Sequence, residues 1–204
     1  YIFVSTALSP YLQYSHGIYL QEQLEAGPVK LLLGIRQEFF TDVLNYKTNN
    51  ETHTTQHAFI PRIGAVVTIN KNLNVYGTWV KGFEPQSASV QGNPNAGGPF
   101  DPEYSQLLEA GLKGEWFDKR LSTTLSFFHL QKRNTLYNAN DPANPERLEQ
   151  VGEETSKGIE MDIAGFILPN WSIVANYAYT HAAITKTATD SEKDFGMQRP
   201  NTPR

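Results

Sequence analysis

A chain of 204 residues with 39% apolar and 12% aromatic residues must bury apolar surface, which excludes disorder as a description of the whole. It contains no cysteine, so disulfide scaffolds, thiolate metal sites and thiol catalysis are excluded. A formal charge of -4, with 17 basic residues spread thinly, leaves no cationic patch of the kind a nucleic-acid backbone requires.

Taken in chain order, residues 1–16 read as the end of an exterior loop, and a strand is predicted over 18–25, where Ile18, Leu20 and Leu24 share a face with Glu22. The turn Ala26-Gly27-Pro28 leads into 29–46, VKLLLGIRQEFFTDVLNY. One phase of that run holds Val29, Leu31, Leu33, Ile35 and Val43, and the other holds Lys30, Arg36, Glu38 and Asp42. A period of two sustained this long predicts a strand much longer than the usual five or six residues. Crossing the hydrocarbon of a bilayer takes only about 9 to 11 tilted residues, so the surplus would stand outside it.

After a polar loop over 47–56, a strand over 57–70 opposes Phe59, Ile63, Ala65, Val67 and Ile69 to Arg62, Gly64 and Thr68, with Pro61 expected near a rim. The turn Asn70-Lys71-Asn72 precedes 73–83, where Leu73, Val75, Trp79 and Phe83 share a phase with Lys81. A loop over 84–103 leads to 104–117, a turn at Asp118-Lys119 to 120–137, and a loop over 138–151 to 152–167. The turn Leu168-Pro169-Asn170 then opens 171–186, and a polar stretch runs from 187 to the end. Trp116, Phe117 and Trp171 cluster at the short turns, as interfacial aromatics do.

Short turns thus alternate with long polar loops along about eight strands. This asymmetry, with no apolar run approaching the roughly 20 residues of a membrane-spanning helix, predicts an all-β fold, part of a transmembrane antiparallel β-barrel. The start at Tyr1, without Met or a basic leader, and the end in a polar loop predict an internal piece of a longer protein, with residues 1–204 forming one partial barrel domain.

Several ordered phrases carry a resemblance: Gly17-Ile-Tyr-Leu-Gln-Glu-Gln23, Leu33-Gly-Ile-Arg36, Pro61-Arg-Ile-Gly64 and Leu73-Asn-Val-Tyr-Gly-Thr-Trp-Val-Lys-Gly-Phe-Glu-Pro85. They are followed by Tyr104-Ser-Gln-Leu-Leu-Glu-Ala-Gly-Leu-Lys113, Leu125-Ser-Phe-Phe-His-Leu-Gln-Lys-Arg-Asn134, Ser156-Lys-Gly-Ile-Glu-Met-Asp162 and Gln198-Arg-Pro-Asn-Thr-Pro-Arg204. In this order they resemble the barrel of TonB-dependent outer-membrane receptors, particularly the ferric-siderophore branch. The resemblance implies a larger barrel with a globular plug in its lumen; neither the plug nor the remaining strands are found in this sequence. It further implies import of a ferric siderophore across the outer membrane of a Gram-negative bacterium, powered by the TonB-ExbB-ExbD complex. Iron would travel as cargo in the chelate, with no resident cofactor and no enzymatic step.

Under that resemblance Arg36, Glu38, Arg62, Glu109, Lys113, Glu115, Glu160 and Asp162 would line the lumen, where they serve as wet wall charges or meet a plug. Phe83, Gln86, Phe100, Tyr104, Arg133 and Tyr137 border the long loops, and aromatic rings with an Arg suit an anionic or aromatic chelate. His53 and His57, four apart, would suit a metal on a helix but fall in a predicted loop, and His129 and His181 fall on outward phases. No metal site is therefore assigned. No Gly-x-Ser-x-Gly elbow or other catalytic constellation occurs. A passive porin, a glycan or vitamin B12 receptor, and a soluble β-rich binding module packed against a second sheet are the alternatives.

Overall fold

The computed structural model describes residues 10–186 and Gly196. Eight antiparallel strands follow one another in simple order in a single sheet. They are β1 (Tyr11–Ala26), β2 (Val29–Leu44), β3 (Thr52–Asn70), β4 (Leu73–Glu84), β5 (Glu103–Trp116), β6 (Leu121–Asn138), β7 (Leu148–Leu168) and β8 (Trp171–Lys186), with a single helical turn α1 (Ala88–Gln91) between β4 and β5. β1 and β8 are the two edges of the described sheet.

The short turns follow from local chemistry. Ala26 pairs with Val29 across Gly27-Pro28, where Gly27 has φ of 58° and proline fixes the next residue near -65°. That combination suits a primed hairpin turn, whose twist matches the strands. Asn70 pairs with Leu73 across Lys71-Asn72, and the Asn70 side chain accepts the Asn72 N–H at 2.8 Å. Trp116 pairs with Leu121 across a wider turn in which Phe117, Asp118 and Lys119 all have positive φ.

The register carries the alternation across the whole sheet. On one face Leu20 is opposite Ile35, Leu33 opposite Ile63, Val67 opposite Val75, and Leu112 opposite Leu125, which in turn is opposite Met161. Large apolar side chains on this face stand exposed, among them Ile18 at 75%, Leu20 at 67% and Phe59 at 55%. A continuous apolar face of this extent needs a covering phase. On a sheet whose loops are short at one end and long at the other, that phase is the hydrocarbon of a membrane, and the sheet is part of a transmembrane β-barrel. No helix among the described residues is long and apolar enough to cross a membrane.

Pro61 lies inside β3 opposite Ile35, deeper than the rim position expected of it. In β3 the Thr68 N–H points to β2, donating to the Pro28 carbonyl, so odd-numbered residues direct their N–H groups toward β4. The pairing with β4 stops at Arg62–Val80. Proline therefore stands just where the ladder ends on that side, and its missing N–H costs no strand bond.

Three boundaries differ from the sequence expectation by four residues or more, all on the long-loop side. Strand β1 starts at Tyr11, so 11–16 are strand rather than loop; β3 starts at Thr52, which puts His53 and His57 in a strand; and β7 starts at Leu148. The expected final loop, from 187 onward, lies outside the described residues apart from Gly196.

Candidate functional site: the charged wall and the mouth

The face opposite the apolar one is built from the other phase of every strand. Pairings Gly34–Arg62, Arg62–Val80, Thr78–Glu109, Lys113–Thr124, Glu115–Ser122, Ser126–Glu160 and Thr124–Asp162 place Arg62, Glu109, Lys113, Glu115, Glu160 and Asp162 on it together with Arg36 and Glu38. All eight predicted wall charges therefore share one face. Along β2, Arg36 Nε donates to Glu38 Oε2 at 2.5 Å, and Glu38 is buried. Tyr76 Oη donates to Glu109 Oε1 at 2.6 Å, and Lys113 Nζ sits 4.9 Å from the centre of the Tyr76 ring. Glu115 pairs with Lys119 of the adjoining turn at 3.5 Å, and Asp162 accepts from the Asn176 amide. Arg62 has no carboxylate partner among the described residues.

Glycines let these side chains lie flat. A Cβ built on Gly34 would meet the Arg62 side chain at 2.8 Å, and one on Gly17 would meet Arg36 at 3.1 Å. On Gly111 it would meet the Tyr76 ring at 2.7 Å, and on Gly158 the Phe128 ring at 2.8 Å. Each long side chain rests on a bare patch of the next strand, so the wall is lined by side chains lying along it rather than across the space it faces. A hollow of about 330 Å³ follows, bordered by Leu32, Gly64, Tyr76, Thr78 and Lys113.

At the long-loop end two loops hold each other. Asn93 and Asn95 side chains donate to Glu146 Oε2 at 3.1 and 3.2 Å, Asn144 donates to the Asn95 carbonyl at 2.7 Å, and the Leu148 N–H donates to the Ala96 carbonyl at 2.9 Å. The Asn93 and Asn95 amides hold the Glu146 carboxyl below the usual carboxylate range. The Ala143 N–H does the same for Asp141, helped by Arg147.

The six residues predicted for ligand contact do not form one cluster. Phe83, Tyr104 and Arg133 are register neighbours on the apolar face, and Arg133 Nε pairs with Glu153 at 3.2 Å. Gln86 is held by its backbone on Gln56, receiving and giving bonds of 3.1 and 3.0 Å, while its own amide donates to the Asn134 carbonyl. Phe100 is buried, and its N–H and carbonyl are both bonded to the Gln91 side chain. Only Tyr137 turns to the charged face, where its hydroxyl donates to Glu154 at 3.0 Å.

Two further groups lie on the charged face near the mouth, outside the eight charges assigned to the wall from the sequence. Lys132 bridges Glu84 and Glu103. Asp42, 1% exposed, accepts from the Tyr11 hydroxyl and from Gln13, while its Oδ2 has no hydrogen-bond partner. Both share the alternating phase of the wall charges; in the sequence Asp42 already falls on that phase, and the same count places Lys132 there. His53 and His57 lie on the opposite face of β3, and no group of metal-ligating residues occurs among the described residues.

Residues 5–204 match the family described as TonB dependent receptor-like, beta-barrel. The metal-pseudopaline receptor CntO of Pseudomonas aeruginosa is 33% identical over 175 residues, which are 82% of this chain and 24% of that receptor. The ferripyoverdine receptor of the same organism is 32% identical over 168 residues, 78% of this chain and 20% of the receptor. The crystal structure of the P. aeruginosa ferripyoverdine receptor bound to ferripyoverdine aligns with a TM-score of 0.75 at 24% identity, covering 94% of this chain and 24% of that one. The alcaligin outer-membrane receptor FauA of Bordetella pertussis aligns at 0.68 and 24% identity, covering 85% of this chain and 31% of that one. The chain thus spans about a quarter of the length of the curated relatives it matches.

Proposed function

Because this chain belongs to the TonB-dependent receptor family, as part of its β-barrel, we propose that the intact protein binds a ferric siderophore at the surface of a Gram-negative cell. It carries the chelate across the outer membrane into the periplasm with energy from the TonB-ExbB-ExbD complex. The family is one of transport receptors, and iron enters as cargo inside the chelate rather than as a resident cofactor. The observation that carries the proposal is the pairing of an exposed apolar face with a charged face bearing flat-lying side chains, in a chain similar to receptors for metal chelates.

In this reading Arg36, Glu38, Arg62, Glu109, Lys113, Glu115, Glu160 and Asp162 form the lumen wall against a plug, with Arg62 open to a carboxylate on that plug. Tyr137, on the same face at the mouth, is placed to meet the cargo, and Gln86 and Phe100 shape the loop above it. Phe83, Tyr104 and Arg133 face the other way and are assigned to the membrane interface.

The test is a fluorescence titration of the intact protein with ferric and iron-free chelators of the catecholate, hydroxamate and mixed peptidic classes, alongside iron-limited growth with and without TonB. Binding that requires iron, with growth rescue that requires TonB, supports the proposal. TonB-independent passage of small solutes, or selective binding of a glycan or vitamin B12 in place of every ferric chelate, overturns it.

A further inference from the structure

The apolar face changes character abruptly along three adjoining strands. Below the change, Phe127 of β6 pairs with Ile159 of β7, which pairs with Tyr179 of β8. One step further toward the long loops, His129 pairs with Lys157 and Lys157 with His181. Three nitrogen donors on consecutive strands thus lie within two strand spacings, about 10 Å. All three are exposed. None has an acidic partner among the described residues. The next step holds Gln131 and Thr155, and the neighbouring surface carries a groove of about 320 Å³ whose outward lining includes Lys81 and Arg133. No carboxylate interrupts these two steps; the first, Glu153, is already paired with Arg133.

We propose that His129, Lys157 and His181, with Lys81 at the flank, form a binding site for the phosphate of a lipid head group in the outer leaflet. The inference rests on the reading above, that the apolar face lies in the outer membrane with its long loops outside. A Lys or His turned outward would be costly within hydrocarbon and becomes cheap only at its edge. At that edge the available groups of opposite charge are head-group phosphates, and each Lys near such a surface contributes about 1 kcal/mol. Tyr179 and Tyr177, one and two steps below His181 on the same face, suit the interfacial level that this places them in. Outward placement also separates the site from cargo, since the wall and Tyr137 lie on the other face of the sheet.

The test is native mass spectrometry of the intact protein in detergent, supplied separately with phosphatidic acid and phosphatidylcholine, and with inorganic phosphate as competitor. The proposal expects preferential retention of phosphatidic acid, no displacement by inorganic phosphate, and a loss of about fivefold in K157Q. The loss should deepen in the triple variant H129Q/K157Q/H181Q, be restored in K157R, and be absent in K71Q, at a short turn. Equal retention of both lipids with no effect of K157Q overturns the head-group site while leaving the barrel reading standing. Displacement by inorganic phosphate makes it a free-anion site and also overturns it. Retention of neither lipid likewise overturns the head-group site, whereas a protein that stays monodisperse in plain buffer without detergent overturns the membrane reading on which it rests. Should the triple variant fail to fold, K157Q and K157R decide the matter alone.

Discussion

The ring of Tyr76 on β4 lies across Gly111 on β5, and the Tyr76 hydroxyl reaches two residues along that strand to Glu109 at 2.6 Å. A bare position and a long neighbour on the adjoining strand recur at Gly34 with Arg62 and at Gly158 with Phe128. The contact makes a specific demand on the sequence, because a methyl group at Gly111 would meet both the ring at 2.7 Å and the Leu125 carbonyl oxygen at 2.5 Å.

Gly111→Ala is therefore expected to destabilise the barrel by about 1–3 kcal/mol, the usual cost of overpacking against atoms that cannot move aside. Gly77→Ala, whose new carbon would lie at 3.8 Å from its nearest neighbour, is expected to be neutral within about 0.5 kcal/mol. Urea unfolding of the intact protein in lipid, followed by tryptophan fluorescence, compares the two. Equal losses in both variants would mean that the glycine seats do not shape the wall.

The side chain of Gln56 holds the Gln86 backbone by two hydrogen bonds of 3.0 and 3.1 Å, and Gln56 is buried. Gln56→Ala leaves one N–H and one carbonyl without their partners, at a cost of about 1–3 kcal/mol for each group that water cannot reach. Faster amide exchange at Gln86 and through α1, with the turn at Lys71-Asn72 unchanged, is the expected result. Unchanged exchange at Gln86 would show that the loop is held by other contacts.

The clasp between the two long loops depends on a charged Glu146. Its folded pKa is depressed by the amides of Asn93 and Asn95, so the folded loop binds its proton less readily than the open one. The contribution to loop closure is thus complete above the unfolded carboxylate value, about 4.3, and is lost as pH falls through the depressed folded value. Protection of the Leu148 amide, bonded to the Ala96 carbonyl, measured relative to its intrinsic exchange rate at each pH, should fall over that acidic window and become insensitive to pH there in Glu146→Gln. A pH response that persists in the variant would place the titrating group elsewhere.

Alternation made the middle of every strand legible, since a residue facing hydrocarbon and its neighbour facing a wet interior must differ in kind. The same logic explains where legibility ended. Thr52-His53-Thr54-Thr55-Gln56 is strand, but beyond the apolar band both faces are polar and the period of two leaves no trace. The eight charges could be sorted to one face because all sit within regular ladders. Tyr137 was not sorted because β6 bulges at Asn134, whose φ is 64°, and the register shifts there. Arg133 and Tyr137 are both odd-numbered, yet one pairs with Glu153 on the apolar face and the other bonds Glu154 on the charged face. Parity counted along a sequence cannot survive an extra residue that only the partner strand reveals.

The most direct measurement places single spin labels in these 204 residues, which carry no cysteine of their own, after replacement of any cysteine elsewhere in the intact protein. Labels introduced one at a time from residue 30 to residue 36 in the intact protein in a lipid bilayer should alternate. Positions 31, 33 and 35 should be relaxed by lipid-soluble oxygen, and positions 30, 32, 34 and 36 should not. Uniform shielding from oxygen at both sets, or the opposite phase, would contradict the account that this sheet is a membrane wall with its charged face turned inward.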